Sequence, residues 1–179
     1  MNVLVTAASK QGATYEIAEA IGRVLRERGF DSTVSRPEQV DDVTAYDAVV
    51  IGSAIYTGHW LEPANNFARR FAHELTQRPV WLFSSGPVGD PRRKLVQKMT
   101  ADPLELPSVL AQTHAREHRI LAGKLAGDHA GPTHRLSLLL FRGMQGDWRD
   151  WAAIERYASA IADELDDGAD TAGPAGGEP

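Results

Sequence analysis

The most informative stretch of the sequence lies near the N-terminus and reads Asn2-Val-Leu-Val-Thr-Ala-Ala-Ser-Lys-Gln-Gly-Ala-Thr-Tyr-Glu-Ile-Ala18. An apolar strand runs into a short loop of hydroxyls and glycine, and this loop runs into an amphipathic helix. The order places backbone N–H groups and hydroxyls at a helix N-terminus, where phosphate groups bind. A Walker A loop and a dinucleotide fingerprint are both excluded, because no Gly-Lys-Ser/Thr follows and Gly12 is the only glycine there. The loop therefore suits a terminal monophosphate.

Strand and helix signals alternate along the whole chain. Apolar runs predict strands at Val3–Val5, Thr33-Val34, Ala48–Ile51, Val80–Phe83 and Ile120-Leu121, and helical spacing predicts helices over Ile17–Leu25, Leu61–Leu75 and Trp151–Leu165. This alternation is typical of an α/β fold with a doubly wound, five-stranded parallel sheet between two helical layers. We expect one domain over residues 1–165, an insertion over 123–148 before the last helix, and a disordered acidic tail over 166–179.

The amino-acid composition excludes several kinds of functional site. The chain has 179 residues and no cysteine, which excludes thiol catalysis, disulfides and cysteine-ligated metals. Six of the 24 acids lie in Asp163–Pro179, which leaves 18 acids against 19 bases in the rest. Within that part, Asp90–Arg149 holds ten bases and six acids, either as scattered surface charge or as a basic surface. We expect a cytoplasmic protein, because no apolar run approaches membrane length and no signal-like segment is present. We also expect no nucleic-acid partner.

Polar or glycine-rich loops follow three of the predicted strands. They read Ala8-Ser-Lys-Gln-Gly-Ala-Thr14, Gly52-Ser-Ala-Ile-Tyr-Thr-Gly-His-Trp60 and Ser84-Ser-Gly-Pro-Val-Gly-Asp90. Ligands of open α/β sheets bind beyond the carboxyl ends of the strands, at the point where the strand order reverses. The three loops are therefore expected to converge on one ligand.

On these residues the sequence resembles the flavodoxin-like family, and within it the menaquinone-dependent protoporphyrinogen oxidase branch. The resemblance rests on the loop Ser9–Thr14, on Val49-Val-Ile-Gly-Ser-Ala-Ile-Tyr-Thr-Gly-His59 and on the Asp147-Trp-Arg-Asp-Trp151 entry to the last helix. It implies the strand order 2-1-3-4-5 and bound FMN. The implied phosphate-binding residues are Ser9, Lys10, Gln11, Gly12, Ala13 and Thr14. Those implied at the flavin ring are Ser53, Ala54, Ile55, Tyr56, Thr57 and Gly58 on one side and Ser85, Gly86, Pro87, Val88 and Gly89 on the other.

Aromatic and histidine side chains near the expected flavin have two interpretations each. Tyr56 and Trp60 are candidates for stacking on the flavin, although Trp60 is equally suited to packing against the next helix. His59 is the candidate catalytic residue, as a proton relay, but a lone loop histidine is more often solvated. His114 and His118 have a metal-like helical spacing without a third ligand, so a solvated helix face is favoured.

The leading functional hypothesis is an FMN-dependent oxidoreductase that passes electrons from a reduced substrate, such as a porphyrinogen, to a quinone or another acceptor. The alternative is an electron carrier that serves a redox protein, and a third is a non-catalytic interaction domain. The insertion is either a helix packed on the domain or an apolar patch for a membrane surface, a quinone or a second copy of the chain. Arg92, Arg93, Arg135 and Arg142 are predicted to hold substrate carboxylates.

Overall fold

A computed structural model describes residues 1–86, 102–125 and 146–171. Its strands are β1 (Asn2–Ala8), β2 (Asp31–Ser35), β3 (Ala48–Tyr56), β4 (His59–Trp60), β5 (Val80–Ser85), β6 (Glu117–Leu121), β7 (Lys124–Leu125) and β8 (Gly146–Asp147). Its helices are α1 (Ala13–Glu27), α2 (Glu62–Arg70), α3 (Ala72–Leu75), α4 (Leu106–Thr113) and α5 (Trp151–Thr171), with a 3₁₀ turn over Pro37–Gln39.

Five strands form a parallel sheet in the order β2-β1-β3-β5-β6. This confirms the predicted α/β fold and its order, since β5 and β6 are the fourth and fifth strands expected from the sequence. One short strand was not expected: β4 turns back and pairs antiparallel with the end of β3. A separate two-stranded ribbon joins β7 to β8.

Alternating side chains of the strands build one apolar cluster on each face of the sheet. Val3, Val5 and Ala7 pack with α1 and α5, whereas Leu4 and Ala8 point to the opposite face and pack with α2 and α4. All five side chains are at most 3% exposed. Because both faces are covered, the strands read as continuous apolar runs in the sequence. None of the helices in the described ranges is long and apolar enough to span a bilayer.

Backbone geometry corrects two sequence predictions about helices. The single helix predicted over Leu61–Leu75 is interrupted at Phe71, whose φ of −107° and ψ of 20° separate α2 from α3. His114 and His118 do not share a helix, because His114 ends α4 in the left-handed conformation and His118 lies in β6. Apolar periodicity does not report either break, since both sides of each break still face the core.

The last helix is longer than the sequence predicted. It continues through Thr171, beyond the expected domain boundary at residue 165, so the predicted tail begins inside a helix. Arg28 reaches Asp163 at 2.7 Å and Asp166 at 3.3 Å, and these ion pairs accompany the extra turn. Residues 172–179 lie outside the described residues, as do 126–145 of the predicted insertion and all four arginines that were expected to hold substrate.

Candidate cofactor site

The loop between β1 and α1 leads into a helix whose N-cap residue makes no side-chain hydrogen bond to it. Gly12 is the N-cap of α1 with φ 84°, and it has no side chain to bond the amides of the first turn. The N–H of Thr14 donates to the Ser9 hydroxyl at 3.2 Å, which closes the loop. A Cβ on Gly12 would meet nothing within 4 Å, so the space beside the loop is open. Oriented amides, two hydroxyl residues and free space fit a phosphate dianion.

A tight hairpin follows β3 and forms the second part of the site. Thr57 and Gly58 both have positive φ, 52° and 83°, the backbone of a type I′ turn. The turn folds β4 back so that Tyr56 lies opposite His59 and Ile55 opposite Trp60. The predicted loop residues Tyr56, Thr57 and Gly58 thus form the hairpin tip, whereas Ser53 and Ala54 are buried in β3.

The hairpin base uses Ser53 internally. The Ser53 hydroxyl is fully buried and accepts the N–H of Leu61 at 2.9 Å, while it donates to the carbonyl of Ala54 at 3.0 Å. Its side chain therefore fixes the return of the chain into α2. The prediction that Ser53 contacts a cofactor remains a prediction, and only its backbone is placed near the edge of the sheet.

The structure places the starts of the three predicted loops at the same edge of the sheet. Ala8 pairs with Ser53, and Ala54 pairs with Ser85, so β1, β3 and β5 end side by side. Gly86 packs against the hairpin, because a Cβ there would lie 3.6 Å from Cβ of Ile55. The Lys10 ammonium lies 4.4 Å from the centre of the Tyr56 ring and connects the first loop to the second. Pro87, Val88 and Gly89 lie outside the described residues.

A cavity of about 550 Å³ opens between the first loop and the hairpin. Its walls include Ser9, Lys10, Tyr56, Thr57 and His59. Arg36 and Glu38, which follow β2, also line it. Burial raises the pKa of Tyr56, so its hydroxyl stays protonated at neutral pH.

His59 is paired with a carboxylate that the sequence did not indicate. Its Nδ1 lies 2.6 Å from Oε1 of Glu105, and Oε2 of the same carboxylate accepts the backbone N–H of Trp60 at 3.0 Å. Burial alone would raise the pKa of Glu105, but the hydrogen bonds from His59 and Trp60 outweigh it and hold the pKa below its usual value. An ionised carboxylate only accepts, so the ring nitrogen that faces Glu105 is the donor, Nδ1–H.

Trp60 packs inside the protein, which decides between its two interpretations. Its side chain is 3% exposed, and its indole N–H donates to the Ser84 hydroxyl at 2.7 Å. Ser84 also lies 2.8 Å from Nε2 of His118, whose Nδ1 is 3.5 Å from Asp102. Burial lowers the pKa of His118 despite the nearby acids Asp102 and Glu117, so the ring is neutral and accepts from Ser84. The chain of hydrogen bonds ties the hairpin to β5 and β6.

Glu105, Ser84 and His118 are the polar residues of this region that sequence reasoning missed. Glu105 lies 46 positions from His59, in a Pro- and Leu-rich stretch without a recognisable motif. Ser84 was quoted only as part of a loop, and His118 was assigned to a helix face. An isolated polar residue next to an apolar strand gives no local signal of a buried partner.

Comparisons with known proteins agree with this geometry. The family described as Flavodoxin domain matches residues 4–150. The chain is 25% identical over 175 residues to Protoporphyrinogen IX dehydrogenase [quinone] of Escherichia coli strain K12, covering 90% of this chain and 95% of that protein. A flavodoxin from the domain Archaea superposes with a TM-score of 0.63 at 18% identity, covering 93% of this chain and 99% of that one. The flavodoxin of Streptococcus pneumonia TIGR4 gives 0.61 at 19% identity, covering 92% and 99%.

Proposed function

Since the chain belongs to the flavodoxin domain family and binds FMN, we propose that it is an FMN-dependent oxidoreductase with a small-molecule substrate. Electrons pass from a reduced substrate through FMN to a quinone or another acceptor. The observation that carries the proposal is the likeness to the E. coli quinone-linked protoporphyrinogen dehydrogenase, which extends over 95% of that protein. A porphyrinogen is accordingly the first donor to test.

The chain's own residues suit the parts of FMN. The N-terminus of α1, with Ser9, Gly12 and Thr14, holds the phosphate through amides and hydroxyls. The hairpin tip Tyr56–Gly58 and the start of the β5 loop at Ser85 and Gly86 would hold the flavin ring. When bound, FMN supplies the redox chemistry, since it takes up electrons from a donor and gives them to an acceptor. The protein then needs to bind, orient and exchange protons, and no protein nucleophile is required.

His59 is the residue we propose for proton exchange. Glu105 holds Nδ1–H at 2.6 Å, which orients the ring and leaves the Nε2 lone pair available. The side chain is 52% exposed and lines the cavity beside the hairpin, so a substrate proton can reach it. A histidine–carboxylate pair of this kind suits a base that accepts a proton as the substrate loses electrons.

An electron carrier is the second candidate. The solved structures with the same fold include flavodoxins at TM-scores of 0.63 and 0.61, and flavodoxin-like proteins pass electrons to redox partners. Against it, residues 1–162 hold 18 acids and 19 bases, whereas a carrier that docks on basic partners benefits from a strongly acidic surface. Peripheral membrane contact and homodimer formation remain predictions.

The deciding experiment separates the two half-reactions. Oxidised holoprotein is mixed with protoporphyrinogen, reduced holoprotein is mixed with a soluble menaquinone analogue, and flavin absorbance is followed in both. We expect fast reduction by the porphyrinogen and fast oxidation by the quinone. If neither reacts while a flavodoxin reductase and a small redox protein exchange electrons rapidly with the flavin, the carrier function replaces the proposal.

His59→Asn tests the proton role within the same assay. Its matched control is His73→Asn, because His73 lies on α3 and does not line the cavity. We expect His59→Asn to slow reduction by the porphyrinogen by about 10²-fold or more, the usual contribution of a general base. Reduction by dithionite, which needs no substrate proton, is expected to stay unchanged in both variants. Equal rates with the porphyrinogen would show that His59 takes no part.

A further inference from the structure

Arg149 is a buried cation for which the proposed function has no role. It lies in the connection between β8 and α5, and its side chain is only 3% exposed. Two of its nitrogens grip Asp147 as a fork, Nε to Oδ1 at 2.8 Å and Nη2 to Oδ2 at 2.5 Å. The ring of Trp151 lies 4.5 Å from the guanidinium carbon and covers its face. A guanidinium that is so little exposed destabilises the fold unless its N–H donors are hydrogen-bonded.

The remaining nitrogen of the guanidinium reaches the helix that carries the phosphate site. Nη1 lies 2.5 Å from Oε2 of Glu16 and 3.4 Å from the carbonyl oxygen of Ala13. Both acceptors belong to the first turn of α1, directly after the N-cap Gly12. The contact joins residues 133 positions apart, so it ties the start of α5 to the start of α1.

The charges of the cluster argue against direct attraction of a phosphate. One guanidinium is shared by two carboxylates, Glu16 and Asp147, so the three side chains together carry one net negative charge. The hydrogen bonds to Arg149 hold the pKa of Asp147 below its usual value, which keeps that carboxylate ionised at neutral pH. Arg149 therefore affects the geometry of the N-terminus of α1 more than the electrostatic potential there.

We propose that Arg149 is a positioning residue for the cofactor phosphate, an inference that rests on the proposed phosphate site at the N-terminus of α1. Its fork on Asp147 and its cover by Trp151 fix the guanidinium. The guanidinium in turn fixes the first turn of α1 through Glu16 and Ala13. The backbone amides at the N-terminus of α1 are then held in the orientation that a phosphate needs. Arg149 itself does not contact the phosphate.

Two variants separate positioning from charge. Arg149→Lys keeps the positive charge but loses the planar fork, so a pure charge effect predicts unchanged affinity and positioning predicts weaker binding. Glu16→Gln removes a negative charge near the phosphate, so a charge effect predicts tighter FMN binding. Positioning predicts weaker binding, because a neutral amide oxygen accepts the N–H of Arg149 less strongly than a carboxylate does. Arg23→Met is the matched control, because Arg23 also joins α1 to α5 through Glu155 at 2.9 Å but lies farther along the helix.

The experiment titrates each apoprotein with FMN and with riboflavin and follows flavin fluorescence, with the melting temperature of the apoprotein measured alongside. We expect Arg149→Lys and Glu16→Gln to weaken FMN roughly tenfold, the scale of one charge-assisted hydrogen bond, with a much smaller change for riboflavin. Arg23→Met is expected to leave both affinities unchanged. Glu16→Gln leaves the fork on Asp147 intact, so it tests the inference even where Arg149→Lys does not fold.

Three results would overturn the inference. Equal weakening of FMN and riboflavin in Arg149→Lys means that the residue only supports the fold. Tighter FMN binding in Glu16→Gln means that charge decides. Equal affinity of the wild type for FMN and riboflavin removes the phosphate site itself, and this outcome identifies the failure as that of the proposed function.

Discussion

Gly12 and Gly29 flank the same helix with the same kind of backbone. Their φ values are 84° and 91°, and a Cβ at either position would meet nothing within 4 Å. Both are therefore glycines because of the left-handed conformation, not because of crowding. Only Gly12 lies at the end of α1 that faces the proposed phosphate.

This pair gives a matched test of the phosphate loop. We expect Gly12→Ala and Gly29→Ala each to lower the free energy of unfolding of the apoprotein by about 1 kcal/mol, since both force a Cβ into the left-handed region. Only Gly12→Ala is expected to weaken FMN, because its strain shifts the amides of the first turn. Denaturant unfolding and fluorescence titration measure the two effects, and comparable FMN losses in both variants would contradict a phosphate site at Gly12.

Glu105 gives a second residue-scale prediction, on pH dependence. Its pKa is lower in the folded protein than in the unfolded chain, so its ionised form stabilises the fold. That contribution is complete above the unfolded pKa of about 4.3 and is lost as pH falls through the lower folded value. We expect Glu105→Gln to lower the free energy of unfolding at pH 6, and the difference from wild type to shrink as the pH falls below the unfolded pKa.

Urea unfolding at pH 3, 4, 5 and 6 measures this difference. The control is Glu62→Gln, which removes a carboxylate in the first turn of α2. A difference between wild type and Glu105→Gln that does not depend on pH would mean that shape, and not charge, makes Glu105 important.

At the scale of the elements, a glycine in β3 makes room for an aromatic ring of β5. A Cβ on Gly52 would lie 2.1 Å from Cζ of Phe83, a fully buried ring on the neighbouring strand. The ring therefore lies across the position where Gly52 lacks a side chain. This contact fixes how β3 and β5 meet directly before the hairpin and the β5 loop begin.

Helix α5 carries the element-scale prediction. Leu165 is 2% exposed near its C-terminal end, whereas residues 172–179 contain no large apolar side chain. We expect a chain that stops after Thr171 to keep its melting temperature. A chain that stops after Glu164 loses the burial of Leu165, about 2 kcal/mol, which corresponds to roughly 4–8 °C.

Asp166→Asn is the control for the second truncation, because stopping after Glu164 also removes the ion pair with Arg28. That pair is half-exposed and screened by solvent, so its loss alone is expected to change the melting temperature little. A lower melting temperature in the chain that stops after Thr171 would show that the last eight residues contribute to the fold.

At the scale of the whole molecule, both helical layers lead to one edge of the sheet. The α1 layer brings the helix N-terminus, and the α2 and α4 layer holds the hairpin through Glu105 and through the Leu104 N–H, which donates to the Gly58 carbonyl at 2.9 Å. A ligand that bridges the loop and the hairpin therefore binds the folded state and not the unfolded chain. Such binding stabilises the fold by mass action.

The expected outcome is a rise in melting temperature with FMN. At a free FMN concentration a hundredfold above its Kd, the fold gains about 2.7 kcal/mol, or roughly 5–11 °C. Riboflavin at the same concentration is expected to raise the melting temperature less, because it lacks the phosphate. Differential scanning fluorimetry with a dye that does not overlap flavin emission measures both, and equal shifts would contradict recognition of the phosphate.

Local patterns in the sequence predict the parallel sheet and the loops at the carboxyl ends of β1, β3 and β5, because neighbouring residues carry the apolar runs, the helical spacing and the glycine or hydroxyl residues at strand ends. The strand order was predicted from the resemblance to the flavodoxin-like family. The strand β4 was missed because two residues are too few for a pattern. The interruption at Phe71 was missed because apolar spacing continues through it.

The partners of the polar side chains become apparent only in the folded chain. His59 meets Glu105 across 46 positions, Ser84 meets His118 across 34, and Arg149 meets Glu16 across 133. The stretches around Glu105 and Arg149 each permit an exposed charge as readily as a buried pair, because the energy of an ion pair depends on burial and geometry and not on the residue types alone. Packing of the helices onto the sheet brings these residues together, and that packing is a property of the whole chain.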